Sequence, residues 1–230
     1  MAEVSGADEV PFAAYATLET SYTNPKLTSA DLDGDGDLDL LASSGEDDAV
    51  TWFENTAGDG SAWTAHTLDS TSRDPRGIVA GDLDGDGDVD VAVAAFEDNA
   101  VRWYQNDPSL AVCGSEFCVG TVISLLGLNE MAVGDLDLDG DLDLVVTSET
   151  DERVIWLDNS VGDASTWSFQ AFETQLGGAS EVALADLDRD GDLDIVAQGR
   201  LPSAAGLVWL ENSFPVLGSC AEAFCAQTLD

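Results

Sequence analysis

The residues with the clearest potential for chemistry are aspartates that alternate along a nine-residue run. The run Asp31-Leu-Asp-Gly-Asp-Gly-Asp-Leu-Asp39 has carboxylates at positions 1, 3, 5, 7 and 9, and three further copies begin at Asp82, Asp135 and Asp186. In a simple strand these like charges would lie on one face and repel one another unless a cation neutralised them. Glycine at position 6 of every copy permits a positive φ, so the chain can curl and turn several side chains inward. The pattern therefore predicts four metal-binding loops.

Calcium is the ion that such loops favour. Ca²⁺ takes about 6–8 oxygen ligands, whereas Mg²⁺ prefers a strict octahedron and keeps its waters. Zinc would require Cys or His, and neither lies near the runs. By analogy with other Asp-rich loops, we expect side-chain oxygens from positions 1, 3, 5 and 9 and the backbone carbonyl from position 7. About four Ca²⁺ ions, one per repeat, are expected, and the candidate ligands are Asp31, Asp33, Asp35, Asp37, Asp39, Asp82, Asp84, Asp86, Asp88, Asp90, Asp135, Asp137, Asp139, Asp141, Asp143, Asp186, Asp188, Asp190, Asp192 and Asp194.

Two further markers keep step with the aspartate runs and define a repeat of about 50 residues. A Trp-x-x-Asn motif begins at Trp52, Trp103, Trp156 and Trp209, and an aromatic residue precedes each aspartate run by 18 or 19 residues. Between the markers lie short segments rich in β-branched and aromatic residues, separated by Gly, Asp, Asn and Pro, which indicate strands and turns. Four strands in each repeat predict an all-β protein, a β-propeller with four visible four-stranded blades.

We expect a single propeller domain over residues 1–230. The predicted blades span roughly residues 26–70, 77–124, 130–174 and 180–230, and residues 12–19 resemble an outer strand whose own blade is absent. Two arrangements stay open at this point. The four blades either close a ring by themselves or form a fragment of a larger ring of about seven blades.

The loops and the strand ends closely resemble the FG-GAP/VCBS repeat family, which includes the integrin α-subunit propeller. The matching residues are the four Asp-x-Asp-x-Asp-Gly-x-x-Asp loops and the four Trp-x-(Glu/Asp/Gln)-Asn strand ends, and the resemblance covers about residues 12–230. It implies a propeller whose loops between the first two strands of each blade bind calcium on one face, with ligands met on the opposite face. The Phe-Gly and Gly-Ala-Pro pieces of the integrin repeats are absent, so the chain looks more like the VCBS branch, and integrin-type ligand recognition is not carried over.

The charge balance excludes several classes of function. The chain has 46 acidic residues against 7 Lys and Arg, a formal net charge of -39. It cannot form the basic stripe that nucleic-acid binding requires, and an anionic membrane surface would repel it. No apolar stretch approaches the ~18 residues needed to insert directly into a membrane. Even without the loop aspartates acidic residues predominate, which favours attraction for cationic partners.

The cysteines point to an oxidising compartment. Cys113 and Cys118 are spaced like Cys220 and Cys225, and both pairs stand at the same place in their repeats. Two local disulfides, Cys113–Cys118 and Cys220–Cys225, are predicted; the alternative is a four-cysteine zinc site joining the two loops. No signal peptide is visible, because the start of the chain has no basic segment followed by an apolar one. The expected location is nevertheless secreted or at the cell surface, where calcium is abundant.

No catalytic residue can be assigned. His66 is the single histidine, its counterparts in the other repeats are not histidines, and a packing role is predicted for it, as it is for the repeated tryptophans. No nucleophilic catalytic set can be built around one such residue. The expected function is a calcium-binding extracellular scaffold for adhesion or for recognition of a protein or glycan ligand, not an enzyme. The alternative is a carbohydrate-active enzyme, a polysaccharide lyase or hydrolase, or an accessory domain of one, because carboxylates for glycoside hydrolysis are abundant.

Overall fold

A computed structural model describes residues 17–18, 21–107, 117–174, 176–200, 206–213 and 224–228, the last as backbone only. Its regular elements are sixteen strands, and this part of the chain contains no helix able to span a membrane. The strands are β1 (Lys26–Ala30), β2 (Asp39–Ser44), β3 (Ala49–Glu54), β4 (Thr64–Asp69), β5 (Pro75–Gly81), β6 (Asp90–Ala95), β7 (Ala100–Asn106), β8 (Phe117–Ser124), β9 (Leu128–Gly134), β10 (Asp143–Ser148), β11 (Arg153–Asp158), β12 (Ser168–Glu173), β13 (Ala179–Ala185), β14 (Asp194–Gly199), β15 (Leu207–Asn212) and β16 (Phe224–Thr228).

The strands form four antiparallel four-stranded sheets, in each of which every strand pairs with the next one along the chain. These sheets are the blades of a propeller, so the predicted fold class is confirmed. We number them in chain order: blade 1 is β1–β4, blade 2 is β5–β8, blade 3 is β9–β12 and blade 4 is β13–β16. The predicted outer strand over residues 12–19 lies outside the described residues except for 17 and 18.

Apolar side chains fill the gaps between neighbouring blades. Side chains alternate between the two faces of a strand, so each blade presents one apolar face to the preceding blade and one to the following blade. Three buried clusters result, one in each of the three gaps between consecutive blades. Trp52 is buried in the cluster between blades 1 and 2, and Trp156 is buried in the cluster between blades 3 and 4. The packing role predicted for these two tryptophans is therefore confirmed.

Ion pairs join side chains of different blades. Lys26 of blade 1 contacts Glu130 of blade 3 and, at 3.2 Å, Glu181 of blade 4. Arg76 of blade 2 lies 3.2 Å from the carboxylate of Glu149 in blade 3. Lys26 thus joins blade 1 to blades 3 and 4, and Arg76 joins blade 2 to blade 3.

Candidate functional site

Each aspartate run connects the first and second strands of its blade. Position 9 of each run is the first residue of the second strand: Asp39 begins β2, Asp90 begins β6, Asp143 begins β10 and Asp194 begins β14. The preceding eight residues form bends outside the ladder. Since each loop closes a strand pair of fixed register, its carboxylates are held in the same place at the end of every blade.

Positions 1, 3 and 5 of each loop converge. In every loop, one carboxylate oxygen from each of the three aspartates lies within 4.8 Å of the other two. The four triads are Asp31, Asp33 and Asp35; Asp82, Asp84 and Asp86; Asp135, Asp137 and Asp139; Asp186, Asp188 and Asp190. The structure therefore brings together twelve of the twenty candidate ligands in four groups, one per blade.

The first aspartate of three loops has a buried oxygen without a hydrogen-bond partner. These atoms are the Oδ1 atoms of Asp31, Asp82 and Asp135. A buried carboxylate oxygen without a partner is costly, because it has lost its water without gaining a donor. Among the described residues, no Lys or Arg forms an ion pair with a loop aspartate. A cation at the triad would supply the missing partner.

Backbone geometry keeps the loop curled. In the first loop, the amide of Gly36 donates to Asp31 Oδ2 at 3.0 Å, and the same bond recurs in the second and third loops at 3.1 Å. Gly36 has a φ of 99°, a conformation that L side chains rarely adopt, as the sequence predicted for position 6. Position 4 also has a positive φ, although it is Leu138 in the third loop and Arg189 in the fourth. Glycine at this position in the first two loops, Gly34 and Gly85, was the available signal in the sequence.

Position 9 anchors the loop to the rest of its blade. Asp39 is buried, and its Oδ2 accepts the amide of Leu32 at 3.2 Å while its Oδ1 accepts the amide of Asn55 at 2.8 Å. The other three loops repeat both bonds. A carboxylate offers about four lone-pair sites, so two accepted bonds leave capacity for a metal ion. The role predicted for position 9 as a side-chain ligand stays a prediction.

The side chains at position 7 do not belong to the triads. A Cβ atom on Gly58 would lie 2.1 Å from Asp37 Oδ2, and one on Gly162 would lie 2.3 Å from Asp141 Oδ2. These two aspartates therefore pack against glycine turns that follow the third strand of their blades. The predicted contribution of position 7, its backbone carbonyl, stays a prediction.

Burial makes several loop carboxylates reluctant to ionise. It raises the pKa of Asp84 and Asp137 at position 3, and the neighbouring position-5 carboxylates raise it further. At position 9, burial raises the pKa of Asp90 and of Asp143 to about 7, although backbone amides oppose it. Crowded anions that have lost their water are stabilised in the charged form by a cation. Carboxylates alone, converging on one point, fit a hard cation such as Ca²⁺.

The asparagine of the Trp-x-x-Asn motif has a role that sequence reasoning missed. The Nδ2 of Asn106 donates to the carbonyl of Leu32, which is position 2 of the preceding blade's loop, at 2.7 Å. Asn159 and Asn212 make the same bond to Leu83 and Leu136, also at 2.7 Å. Each asparagine thus clamps its blade to the loop of the blade before it. The signal available in the sequence was the recurrence of this asparagine once after each aspartate loop, 24 residues from the start of the first three loops and 26 from the start of the fourth.

The histidine and the cysteines lie away from the triads. His66 stacks on Trp52 with ring centroids 4.5 Å apart, and its Nε2 is 2.7 Å from Glu54 Oε2, so the packing role is confirmed. Cys118 is disulfide-bonded, and its partner is not among the described residues. Cys113 and Cys220 lie outside the described residues and the side chain of Cys225 is not described, so both predicted pairings stay predictions.

Blades of four strands, each with an aspartate-rich loop between its first two strands, define a β-propeller built of repeats that share this loop. The model of the FG-GAP-like repeat matches residues 31–93 and 135–197, and each match contains two consecutive aspartate loops. Together the matches span more than half of the chain, which therefore belongs to the FG-GAP-like repeat family. They do not distinguish the VCBS branch. No curated protein matches the sequence significantly.

Solved structures share the fold at low sequence identity. The chain is similar to BBS1N, crystallised in complex with ARL6DN and soaked with lead, with a TM-score of 0.54, 16% identity, and coverage of 83% of this chain and 53% of that one. It is also similar to a protein from Lactobacillus plantarum, with a TM-score of 0.52, 14% identity, and coverage of 92% and 56%. The chain thus spans about half the length of the structures that it matches.

Proposed function

We propose that this protein is a calcium-stabilised propeller that acts extracellularly, secreted or at the cell surface, as a scaffold for adhesion or ligand recognition. The observation that carries the proposal is the convergence of three carboxylates in each of four loops, within 4.8 Å. Membership of the FG-GAP-like repeat family supports a binding scaffold rather than an enzyme. As part of this proposal, the chain is assigned to the VCBS branch of the family, which its sequence resembles.

Positions 1, 3, 5 and 9 of each loop would hold one Ca²⁺ ion through their carboxylates, with the position-7 carbonyl completing the protein ligands. The ion would neutralise charge where it is most concentrated, and four ions would change the formal net charge from -39 to about -31. Its chemistry here is structural: it would hold the loop closed at the end of each blade. The partner is a protein or a glycan; nucleic acid and direct membrane insertion are not part of the proposal, because the charge opposes both.

Removal of calcium is expected to have the largest effect on this protein. An ion that binds only the folded state adds about 2.7 kcal/mol per site at a hundredfold excess over Kd. Several sites together would equal the whole stability of a typical domain, roughly 5–15 kcal/mol. In differential scanning calorimetry, EDTA should lower Tm by more than about ten degrees, and calcium should restore it better than magnesium. Identical melting curves in EDTA and in millimolar calcium would contradict the proposal.

A double substitution in the first aspartate loop tests whether that loop binds one of the calcium ions. Asp33→Ala together with Asp35→Ala removes two of three triad members in the first loop and leaves the other triads intact. Isothermal titration should then find one calcium ion fewer than in the unmodified protein. The matched control is Asp47→Ala with Asp48→Ala, two exposed aspartates between β2 and β3 that belong to no triad. An unchanged stoichiometry in the loop variant would show that the first triad is not a calcium site.

A further inference from the structure

Three tryptophans that begin Trp-x-x-Asn motifs, Trp52, Trp103 and Trp209, each have a buried indole nitrogen. Their Nε1 atoms have no hydrogen-bond partner within the described part of the chain. Trp52 as a whole is only 5% exposed, so water does not replace the missing acceptor there. A donor that has lost its water without gaining an acceptor is destabilising. The motif therefore retains a polar group that packing alone does not explain.

The two tryptophans outside the motif have no such unused donor. Trp63 Nε1 donates to the carbonyl of Gly60, and Trp167 Nε1 donates to the carbonyl of Ala164, both at 2.9 Å. Each of these residues directly precedes the fourth strand of its blade. The unused donor is thus a property of the motif tryptophans and not of every indole in this fold.

The strand register places each motif tryptophan next to the position-9 aspartate of its own blade. The tryptophan lies in the third strand and pairs with the residue that follows this aspartate by two positions in the second strand. The four pairs are Trp52 with Leu41, Trp103 with Ala92, Trp156 with Val145, and Trp209 with Val196. Residues two apart on a strand share a face, and such diagonal neighbours lie within reach of an aromatic side chain. The indole and the carboxylate are therefore neighbours in every blade.

In blade 2 the indole and the carboxylate are close to each other but not bonded. Burial raises the pKa of Asp90 to about 7, and the N–H of Trp103 is among the donors that lower it, after the amide of Asn106. Trp156 lowers the pKa of Asp143 in the same way in blade 3. Trp103 Nε1 nevertheless does not reach hydrogen-bond geometry with any acceptor among the described residues. A small movement of the carboxylate would complete the bond.

The position-9 carboxylate has capacity for two further partners. In all four loops its Oδ1 accepts the amide of the motif asparagine and its Oδ2 accepts the amide of the residue at position 2. A carboxylate offers about four lone-pair sites, so two remain, one for an indole N–H and one for a metal ion. Metal ligands are commonly oriented by a second hydrogen bond of this kind.

We propose that the motif tryptophans are positioning residues of the calcium sites: when Ca²⁺ is bound, the indole N–H donates to the position-9 carboxylate and orients its remaining lone pair towards the ion. The inference rests on the proposed function and deepens it, because it adds to each site a residue from outside the aspartate loop. Trp52 and Trp103 also pack in the apolar clusters between blades. The same bond therefore couples calcium occupancy to the contact between neighbouring blades.

The indole N–H groups give a direct readout by NMR. The chain has six tryptophans and therefore six indole N–H signals, which Trp→Phe variants assign. On addition of calcium, the signals of the motif tryptophans should move to lower field, because their protons gain a charged acceptor. The signals of Trp63 and Trp167 should stay in place, since both are already bonded to carbonyls. The amide signals of the position-6 glycines report the filling of each loop in the same spectra.

Removal of one N–H group tests the effect on affinity. Trp103→Phe keeps an aromatic ring in the cluster, and it should weaken calcium binding at the second loop about tenfold, as followed at the amide of Gly87 in competition with a chelator. The third loop, followed at Gly140, should be unaffected. Benzothienylalanine at position 103 keeps the size of the indole but has no N–H, so it should weaken binding as phenylalanine does. The matched control Trp63→Phe should leave the second loop unchanged.

Three outcomes would overturn the inference. The first is a set of motif indole signals that stay in place while the glycine amides respond to calcium. The second is a benzothienylalanine protein that binds calcium as tightly as the unmodified protein, because the loss in Trp103→Phe would then come from packing. The third is an equal loss of affinity in Trp63→Phe. Glycine amides that calcium does not move in any loop would instead remove the proposed function itself.

Discussion

The first three aspartate loops and the fourth share one sequence pattern but differ in their surroundings. The leucine at position 2 is buried in the first three, with exposures of 3% at Leu32, 1% at Leu83 and 0% at Leu136. Its counterpart in blade 4, Leu187, is 49% exposed. A following blade covers each of the first three leucines, and none of the described residues does so for the fourth.

The hydrogen bonds within the loop differ in the same way. In the first three loops the backbone amide of the glycine at position 6 donates to the first aspartate, whereas in the fourth the backbone amide of Arg189, at position 4, donates to Asp186 at 2.6 Å. All three aspartates of the fourth triad are exposed, and the position-7 side chain, Asp192, is buried instead. Burial, and then the neighbouring Asp190, raise the pKa of Asp192 to about 7. The neighbouring blade is therefore part of what gives the loop its form.

The contrast between the loops predicts that a leucine-to-alanine substitution at position 2 lowers the free energy of unfolding by different amounts in the third and fourth loops. Leu136→Ala should destabilise the protein by about 2–5 kcal/mol, because it leaves a cavity under blade 4. Leu187→Ala should change the free energy of unfolding by less than about 0.5 kcal/mol, since the side chain is already half exposed. Urea unfolding in millimolar calcium measures both. Equal losses would mean that the fourth leucine is covered in solution, and the contrast between the loops would fail.

Much of this architecture could be predicted from the sequence, because its signals are periodic. The aspartate runs and the Trp-x-x-Asn motif recur in step, and each marks the end of a strand whose apolar residues face a neighbouring blade. Convergence of positions 1, 3 and 5 follows from a loop closed by a glycine with positive φ at Gly36 and its equivalents. These features are local, so a single repeat contains all the information that they need.

Contacts between repeats could not be predicted in the same way. The bond from Asn159 to Leu83 joins residues 76 positions apart, and the sequence of one blade does not reveal which carbonyl of another blade its asparagine meets. The fourth loop has all five aspartates, yet its form differs from that of the first three, each of which a following blade covers.

The asparagine clamp gives a second, smaller contrast. Asn159 is buried and bonds across the gap to Leu83, whereas among the described residues Asn55 of blade 1 donates only within its own blade, to Leu38 at 3.4 Å. Asn159→Ala leaves the buried carbonyl of Leu83 without its hydrogen-bond donor and should lower the free energy of unfolding by about 2 kcal/mol. Asn55→Ala should cost about 1 kcal/mol less, because no bond between blades is lost. Chemical unfolding of the two variants compares them, and the same cost for both would refute the clamp.

An effect that depends on pH distinguishes the first gap from the others. Tyr104 of blade 2 donates its hydroxyl to Asp69 of blade 1 at 2.7 Å, where the equivalent residues of blades 3 and 4 are Leu157 and Leu210. Burial tends to raise the pKa of Asp69, but hydrogen bonds from Ser72, Thr71 and Tyr104 outweigh it and lower the pKa to about 2. The unfolded value is about 3.9, so the ionised Asp69 stabilises the fold above pH ~4, and this contribution disappears as the pH falls towards 2.

Tyr104→Phe should therefore lower the free energy of unfolding by about 1–2 kcal/mol at neutral pH, and this loss should become smaller as the pH falls from about 4 towards 2. Burial raises the pKa of Tyr104, so its hydroxyl remains a donor throughout this range. The control is Tyr22→Phe, whose hydroxyl contacts the neutral Thr51 hydroxyl and should show a cost independent of pH. For each variant, the free energy of unfolding is compared with that of the unmodified protein at the same pH. The contributions of the carboxylates that both proteins share then cancel in the difference. A cost in unfolding free energy for Tyr104→Phe that stays constant down to the acid limit would show that the hydroxyl does not stabilise the ionised carboxylate, and the contrast between the first gap and the other two would then fail.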